Sequence, residues 1–205
     1  MATGGALEAV VLAAGFGSRF GGGKLTVAMP DGRPLIAGAL AAAAAAPVRT
    51  VTVVWGADTG VPAAARAVFA ALGAPARLTL VHASEHARGL SASLKAGVAS
   101  LPPDCAGCFL FLGDMPRIPT AVLAPLAEAL AAGATAAAPV WNGQRGHPVL
   151  FGRALLPALL GLEGDKGAGS LLAGLGDKLA LAPAPDDGVL YDVDVRGDLN
   201  GSARP

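Results

Sequence analysis

Two cations, Arg19 and Lys24, stand in a stretch dense in glycine: Gly15-Phe-Gly17-Ser-Arg19-Phe-Gly21-Gly-Gly23-Lys24. Glycines let a backbone approach an anion and turn several N–H groups towards it. A guanidinium and an ammonium in the same loop add the charge that a triphosphate needs. Acids stand at two other places. Asp114 follows the apolar run Phe109-Leu-Phe-Leu112 and Gly113, just before Pro116, while Asp192, Asp194 and Asp198 fall in Tyr191-Asp-Val-Asp-Val-Arg-Gly-Asp198. A hard ion such as Mg²⁺ accepts one or two carboxylates and completes its shell with phosphate oxygens and water. The chemistry on offer is therefore phosphate binding beside a divalent cation.

Two commoner phosphate loops are excluded by the letters. A dinucleotide fingerprint starting at Gly15 and Gly17 would need its third glycine where Phe20 stands. A Walker loop ending at Gly23-Lys24 would need glycine at Ser18 and Ser or Thr at Leu25. No G-x-S-x-G nucleophile turn occurs either.

Short runs rich in branched residues alternate with longer Ala/Leu segments, the pattern of βαβ units and a mainly parallel sheet. Strands are expected near Ala9–Ala13, Thr50–Trp55, Arg77–Val81, Cys108–Leu112, Ala134–Val140 and Leu190–Val193. Helices are expected near Pro34–Ala46, Pro62–Leu72, Ser91–Ser100, Pro119–Ala132 and Ala154–Leu160. The glycine loop and Asp114 then both follow strands, so they meet at the carboxyl edge of the sheet, where open α/β sheets bind ligands. If Leu190–Val193 begins a strand that continues the acid/apolar alternation, Asp192 and Asp194 share one side of it, and Asp194 completes the metal site if that strand ends beside Asp114. Asp198 reads as a cap or a turn acid. His82 and His86 read as surface or hydrogen-bonded structural histidines, and Trp55 and Trp141 as packing residues.

At 205 residues and 53% hydrophobic content the chain suits one domain, residues 1–205, with one well-buried core. Lys plus Arg and Asp plus Glu balance at 15 each, which provides no overall field for nucleic acid or an anionic membrane. The opening MATGGALEAV lacks the basic start of a secretory signal, so a cytoplasmic location is expected. The apolar stretch from Leu35 to Val48 is mostly alanine and is interrupted by Pro47, short of the roughly 18 residues of a membrane span. Cys105 and Cys108 form a single CxxC that runs into a strand rather than opening a helix, which favours a reduced structural pair over a redox site.

Taken together, LAAGFGSRFGGGK, Asp31-Gly-Arg-Pro-Leu35, Gly89-Leu-Ser-Ala-Ser93-Leu-Lys-Ala-Gly97, Gly113-Asp-Met-Pro116, Gln144-Arg-Gly-His-Pro-Val149, Gly164-Asp-Lys-Gly-Ala168 and Asp192-Val-Asp194 resemble the molybdenum cofactor cytidylyltransferases and related nucleotidyltransferases over nearly the whole chain. The resemblance implies an α/β fold: a Rossmann-like three-layer sandwich around a mainly parallel mixed sheet. It implies transfer of CMP from CTP to a molybdenum-bound molybdopterin phosphate, with Mg²⁺ and release of pyrophosphate. It also implies a molybdenum enzyme of the xanthine dehydrogenase type as partner. Residue by residue, the Leu12, Ala13, Ala14 and Gly15 backbone would line the base pocket, and Arg19 and Lys24 would hold the triphosphate. Gly89 and Ser93 would fix the nucleotide, and Asp114 and Asp194 would bind the metal. Arg145 and His147 would face the pterin. Cytosine is favoured over guanine because Ala13-Ala14-Gly15 stands where guanylyl-transferring relatives resemble LAGG. Another NTP, a sugar or methylerythritol phosphate acceptor, and a non-catalytic pterin carrier remain as alternatives. The chain departs from its relatives at Thr26-Val-Ala28, where they tend to carry Leu and Pro.

Overall fold

Along the first strand, β1 (Leu7–Ala13), side chains alternate between two interiors. Ala9, Val11 and Ala13 enter one buried cluster; Val10, Leu12 and then Ala14 enter another. A strand apolar on both faces must be covered on both, which is the situation of a parallel strand in an α/β protein. The computed structural model describes residues 5–164 and 168–200. Asp165, Lys166 and Gly167, in the middle of the Gly164–Ala168 motif, lie outside the described residues.

The other strands are β2 (Thr50–Trp55), β3 (Arg77–His82), β4 (Gly107–Leu112), β5 (Ala136–Trp141), β6 (Gln144–Arg145), β7 (Val149–Gly152) and β8 (Leu179–Pro183). Among the described residues they form one eight-stranded sheet in the order β3-β2-β1-β4-β7-β5-β6, with β8 beside β5. The β3-β2-β1-β4 half is parallel, β7 runs antiparallel to β4 and β5, and β8 is parallel to β5. Helices α1 (Ile36–Ala45), α2 (Val61–Leu72) and α4 (Leu123–Ala131) cover one face through Leu40, Phe69 and Leu126. Helices α3 (Leu90–Ala99), α5 (Leu156–Leu160) and α6 (Gly169–Ala173) cover the other through Leu94, Leu159 and Leu172. The expected three-layer α/β sandwich with a mixed sheet is thus present. No helix among the described residues is long and apolar enough to cross a membrane.

Helix α3 lies close to the sheet because Gly97 has no side chain: a Cβ there would stand 2.7 Å from Val10 Cγ1 and 2.9 Å from Val54 Cγ2. At the sheet's amino edge, buried Glu8 accepts a hydrogen bond from Arg49 Nε at 2.7 Å, and Arg49 grips both carboxylate oxygens of Asp104 at 2.8 Å. Cys105 and Cys108 are buried free thiols beside this cluster, and burial pushes the pKa of both upwards, which keeps them protonated and unreactive.

One expected element is absent. Residues 190–193 do not form a strand; a 3-10 turn at Asp187–Val189 leads into irregular chain. The alternation there has another cause. Val193 is buried in the core and its N–H donates to the Asp114 carbonyl at 3.0 Å, while Asp192 and Asp194 are only partly buried. Strands β6, β7 and β8 and helix α6 lie outside the sequence expectation.

Candidate active site

The loop leaving β1 is built on left-handed backbone. Gly17 has φ 57°, and a Cβ on it would approach Lys24 Cβ to 2.9 Å, so glycine alone lets the loop fold back on itself. The Gly17 carbonyl accepts from the N–H groups of Phe20, Gly21 and Gly22 at 2.9, 3.1 and 3.2 Å, winding the tip into a tight turn. Phe20 is buried and pins that turn to the core. Thr26 Oγ1 lies 3.1 Å from the Gly23 carbonyl and 3.0 Å from Asp58 Oδ2, two acceptors that share its one hydroxyl proton. Thr26 thus ties the loop's outer wall to the β2–α2 connection by a hydrogen bond.

Lys24 turns inward, with its side chain 12% exposed. Its ammonium donates to Asp114 Oδ2 at 2.8 Å and lies 3.6 Å from Asp194 Oδ1. Arg19 reaches Asp194 Oδ2 from the outside at 3.5 Å, with its side chain 80% exposed. The structure therefore gathers Arg19, Lys24, Asp114 and Asp194 at the carboxyl edge of the sheet. Asp194 arrives through irregular chain: the Val193–Asp114 backbone bond positions it, and Asp198 Oδ2 accepts from the N–H groups of Asp194 and Val195 at 2.8 and 2.9 Å. Asp198 is the turn acid expected of it. Burial, then the charges of Asp194 and Asp114, hold the Asp192 carboxyl above its ordinary range despite the opposing pull of Lys24. Asp114 and Asp194, two partly exposed carboxylates that converge on the Lys24 ammonium, are the groups here that could hold a hard divalent cation.

Two clefts open here. One, of about 620 Å³, is lined by Leu12, Ala13, Ala14, Gly15, Lys24, Gly89, Ser93 and Asp114. The other, of about 530 Å³, holds Arg145 and His147 among mainly apolar walls. Leu12, Leu90 and Leu112 belong to both, so the clefts adjoin. Burial lowers the pKa of His147, against the opposing effects of the Leu110 backbone and the Asp114 charge; its buried Nδ1 has no hydrogen-bond partner in the protein. The imidazole lines the second cleft, with that nitrogen turned away from solvent. Ala168, at the end of the Gly164–Ala168 motif, lines the same cleft.

Sequence reasoning passed over Phe16, Asp58, Arg88 and Leu90, and it placed His86 outside the site; all five line the first cleft. Phe16 could have been found, since it lies inside the glycine loop itself. Asp58 and His86 are brought in by the ends of β2 and β3, and nothing in their local letters marks that. His86 is also hydrogen-bonded as expected, its Nδ1–H donating to the Ala83 carbonyl at 2.8 Å.

Comparison with known proteins adds the following. A family model described as the MobA-like NTP transferase domain matches residues 9–180. Among curated protein sequences there is no significant match. The Rv0371c protein from Mycobacterium tuberculosis H37Rv superposes with a TM-score of 0.76 at 26% identity, covering 97% of each chain. A structure of Rv0371c in complex with manganese gives 0.68 at 25% identity over 89% of each. A nucleotidyl transferase from Methanothermobacter thermautotroptrophicus gives 0.68 at 27% identity over 94% of each chain. Molybdopterin-guanine dinucleotide biosynthesis protein A from Archaeoglobus fulgidus, at 18% identity and a TM-score of 0.63 over 94% of this chain and 95% of that one, shares the fold.

Proposed function

The chain belongs to the family of MobA-like NTP transferase domains and is a nucleotidyltransferase; on that premise we propose that it transfers CMP from CTP to the phosphate of a molybdopterin-type acceptor, with Mg²⁺, releasing pyrophosphate. The observation that carries this reading is the Lys24 ammonium shared by Asp114 and Asp194, beside a glycine loop and between adjoining clefts.

In this reading the first cleft takes the nucleotide. The backbone from Leu12 to Gly15 meets the base, Gly89 and Ser93 help fix it, and the glycine loop with Lys24 and Arg19 takes the triphosphate. Asp114 and Asp194 are the carboxylates that would hold the metal, and manganese in Rv0371c supports a divalent ion of this size and charge. When bound, the ion supplies positive charge against the triphosphate. An oxygen of the acceptor phosphate forms a bond to the α-phosphorus while the bond to the bridging oxygen breaks, and pyrophosphate leaves with that electron pair. The protein contributes alignment and fixed charge; no side chain need become covalently attached.

The second cleft takes the acceptor. Val149 and Leu172 line it with apolar side chains, Arg145 offers charge, and the imidazole of His147 stands among them. Ala13-Ala14 in the loop supports cytosine. The cytidylated product would pass to a molybdenum enzyme of the xanthine dehydrogenase type.

The test is pyrophosphate release with each of the four NTPs, with Mg²⁺ or Mn²⁺, against molybdenum-bound molybdopterin, a sugar phosphate and methylerythritol phosphate. CTP with molybdopterin should react fastest. Preference for another pair would replace the substrate assignment, and no release with any pair would leave a pterin-carrying protein instead.

A further inference from the structure

Phe16 has no structural employment. It stands between Gly15 and Gly17, its side chain is 55% exposed, and it joins neither of the two buried clusters on which the fold rests. It nevertheless lines the same cleft as Lys24 and Asp114. Among the described residues its ring neighbour is His86, at a centroid distance of 5.0 Å and a tilt of 49°.

His86, by contrast, is held in place. Its Nδ1–H donates to the Ala83 carbonyl at 2.8 Å. Behind it Gly56 leaves room: a Cβ there would stand 2.7 Å from His86 Cγ and 2.9 Å from the Ala14 carbonyl oxygen. The missing side chain lets the imidazole settle against the backbone that follows β1. His82 continues the row at 6.4 Å from His86 and packs on Trp55 at 4.3 Å. A fixed imidazole and a solvent-facing phenyl thus make one aromatic wall of a cleft otherwise lined by leucines, small residues and charged groups.

We propose that Phe16 and His86 form the surface on which the nucleobase of the NTP stacks. The proposal rests on the nucleotidyl-transfer reading and adds to it the residues that grip the base by its face. Every base has a π-face, so stacking raises affinity for all NTPs alike. Discrimination between bases is then left to the hydrogen-bonding edges met by the loop backbone and Ser93. An exposed aromatic ring that contributes nothing to the core gains its use when a flat ligand covers it.

The experiment measures equilibrium binding, in the presence of Mg²⁺, of CTP, UTP, ATP and GTP and of tripolyphosphate, which carries the charge without a base. The full chain is compared with Phe16→Ala, Phe16→Trp, His86→Ala and His86→Phe, and pyrophosphate release is followed in parallel. Phe16→Ala should weaken every NTP that binds by about tenfold or more while leaving tripolyphosphate unchanged. Phe16→Trp and His86→Phe keep a ring and should retain affinity, whereas His86→Ala should not. NTP affinity in Phe16→Ala within about twofold of the parent, or an equal loss for tripolyphosphate, overturns the proposal. So does a rise confined to the acceptor KM. If the parent binds NTPs in this base-dependent way yet never releases pyrophosphate, the transferase reading falls and the stacking wall stands; intact transfer with unaltered NTP binding in Phe16→Ala gives the reverse.

Discussion

Replacing Asp114 by asparagine separates the two things that its carboxylate does. The ion pair to Lys24 spans 2.8 Å, and at an effective dielectric of about 20 two such charges attract by roughly 6 kcal/mol. Most of that is offset, because the side chains are 12% and 28% exposed and each gives up solvation. A partly exposed pair is worth about 1 kcal/mol net. Lys24 also keeps Asp194 at 3.6 Å, so its ammonium is not stranded in the variant. The expected cost to stability is therefore about 1 kcal/mol, a fall in Tm of roughly 2–4 °C for a chain of this size. Catalysis stands to lose more. Removing one preorganised charge from the site should slow the chemical step by roughly 100- to 1,000-fold. The assay is steady-state pyrophosphate release over a Mg²⁺ titration, with Tm measured in metal-free buffer. Transfer within about threefold of the parent at saturating Mg²⁺, with an unshifted metal dependence, would refute the role given to Asp114. A Tm loss beyond about 10 °C would instead make the carboxylate a fold residue.

Gly97→Ala places a methyl 2.7 Å from Val10 Cγ1 and 2.9 Å from Val54 Cγ2, an overpacking expected to cost about 1–3 kcal/mol in chemical denaturation. Because Ser93 lies one turn earlier on the same helix, the KM for the NTP should rise as well; unchanged stability would mean that α3 lifts freely from the sheet. Asp192 has a raised pKa, so the folded chain holds that proton more tightly than the unfolded one, and stability is lost as pH rises through the folded pKa. Asp192→Asn should accordingly raise the Tm at pH 7 in metal-free buffer, with the gain fading below the unfolded value of 3.8, and an equal gain at pH 3 would refute it. His147 has a lowered pKa, so below 6.5 the unfolded chain binds a proton that the folded chain refuses, and stability falls as the pH drops towards the folded pKa. His147→Asn should flatten the Tm profile between pH 7 and pH 5, and a profile as steep as the parent's would place the acid-sensitive group elsewhere.

What could be read from the letters divides along a physical line. Strands β1, β2 and β4 announced themselves because both faces are buried, and a run apolar on both faces is visible without knowing its neighbours. Strand β7 has only four residues, and β8 reads Leu-Ala-Leu-Ala-Pro, a composition that favours helix as much as strand, so its pairing with β5 is decided by the sheet and not by its own residues. The expected strand at 190–193 failed for the converse reason. Alternation records which side chains are buried, and Val193 achieves burial with a single bond to the Asp114 carbonyl in place of a ladder.

The same line runs through the site. Arg19 and Lys24 sit in the loop that leaves β1 and Asp114 in the turn that leaves β4, and their gathering at one edge follows from parallel strands sharing a direction. Asp194 reaches the Lys24 ammonium although the element expected to carry it does not exist. Its position depends on a backbone bond between residues far apart in sequence, the kind of contact a periodicity cannot encode. His86 and Asp58 enter the cleft only because β2 and β3 stack beside β1 in the order β3-β2-β1-β4, which brings the loops after three strands to one wall. Local chemistry is thus legible where one motif holds a whole loop of the cleft. The rest of the cleft's lining comes from several strand ends at once, and it becomes visible only when the order of the strands is known.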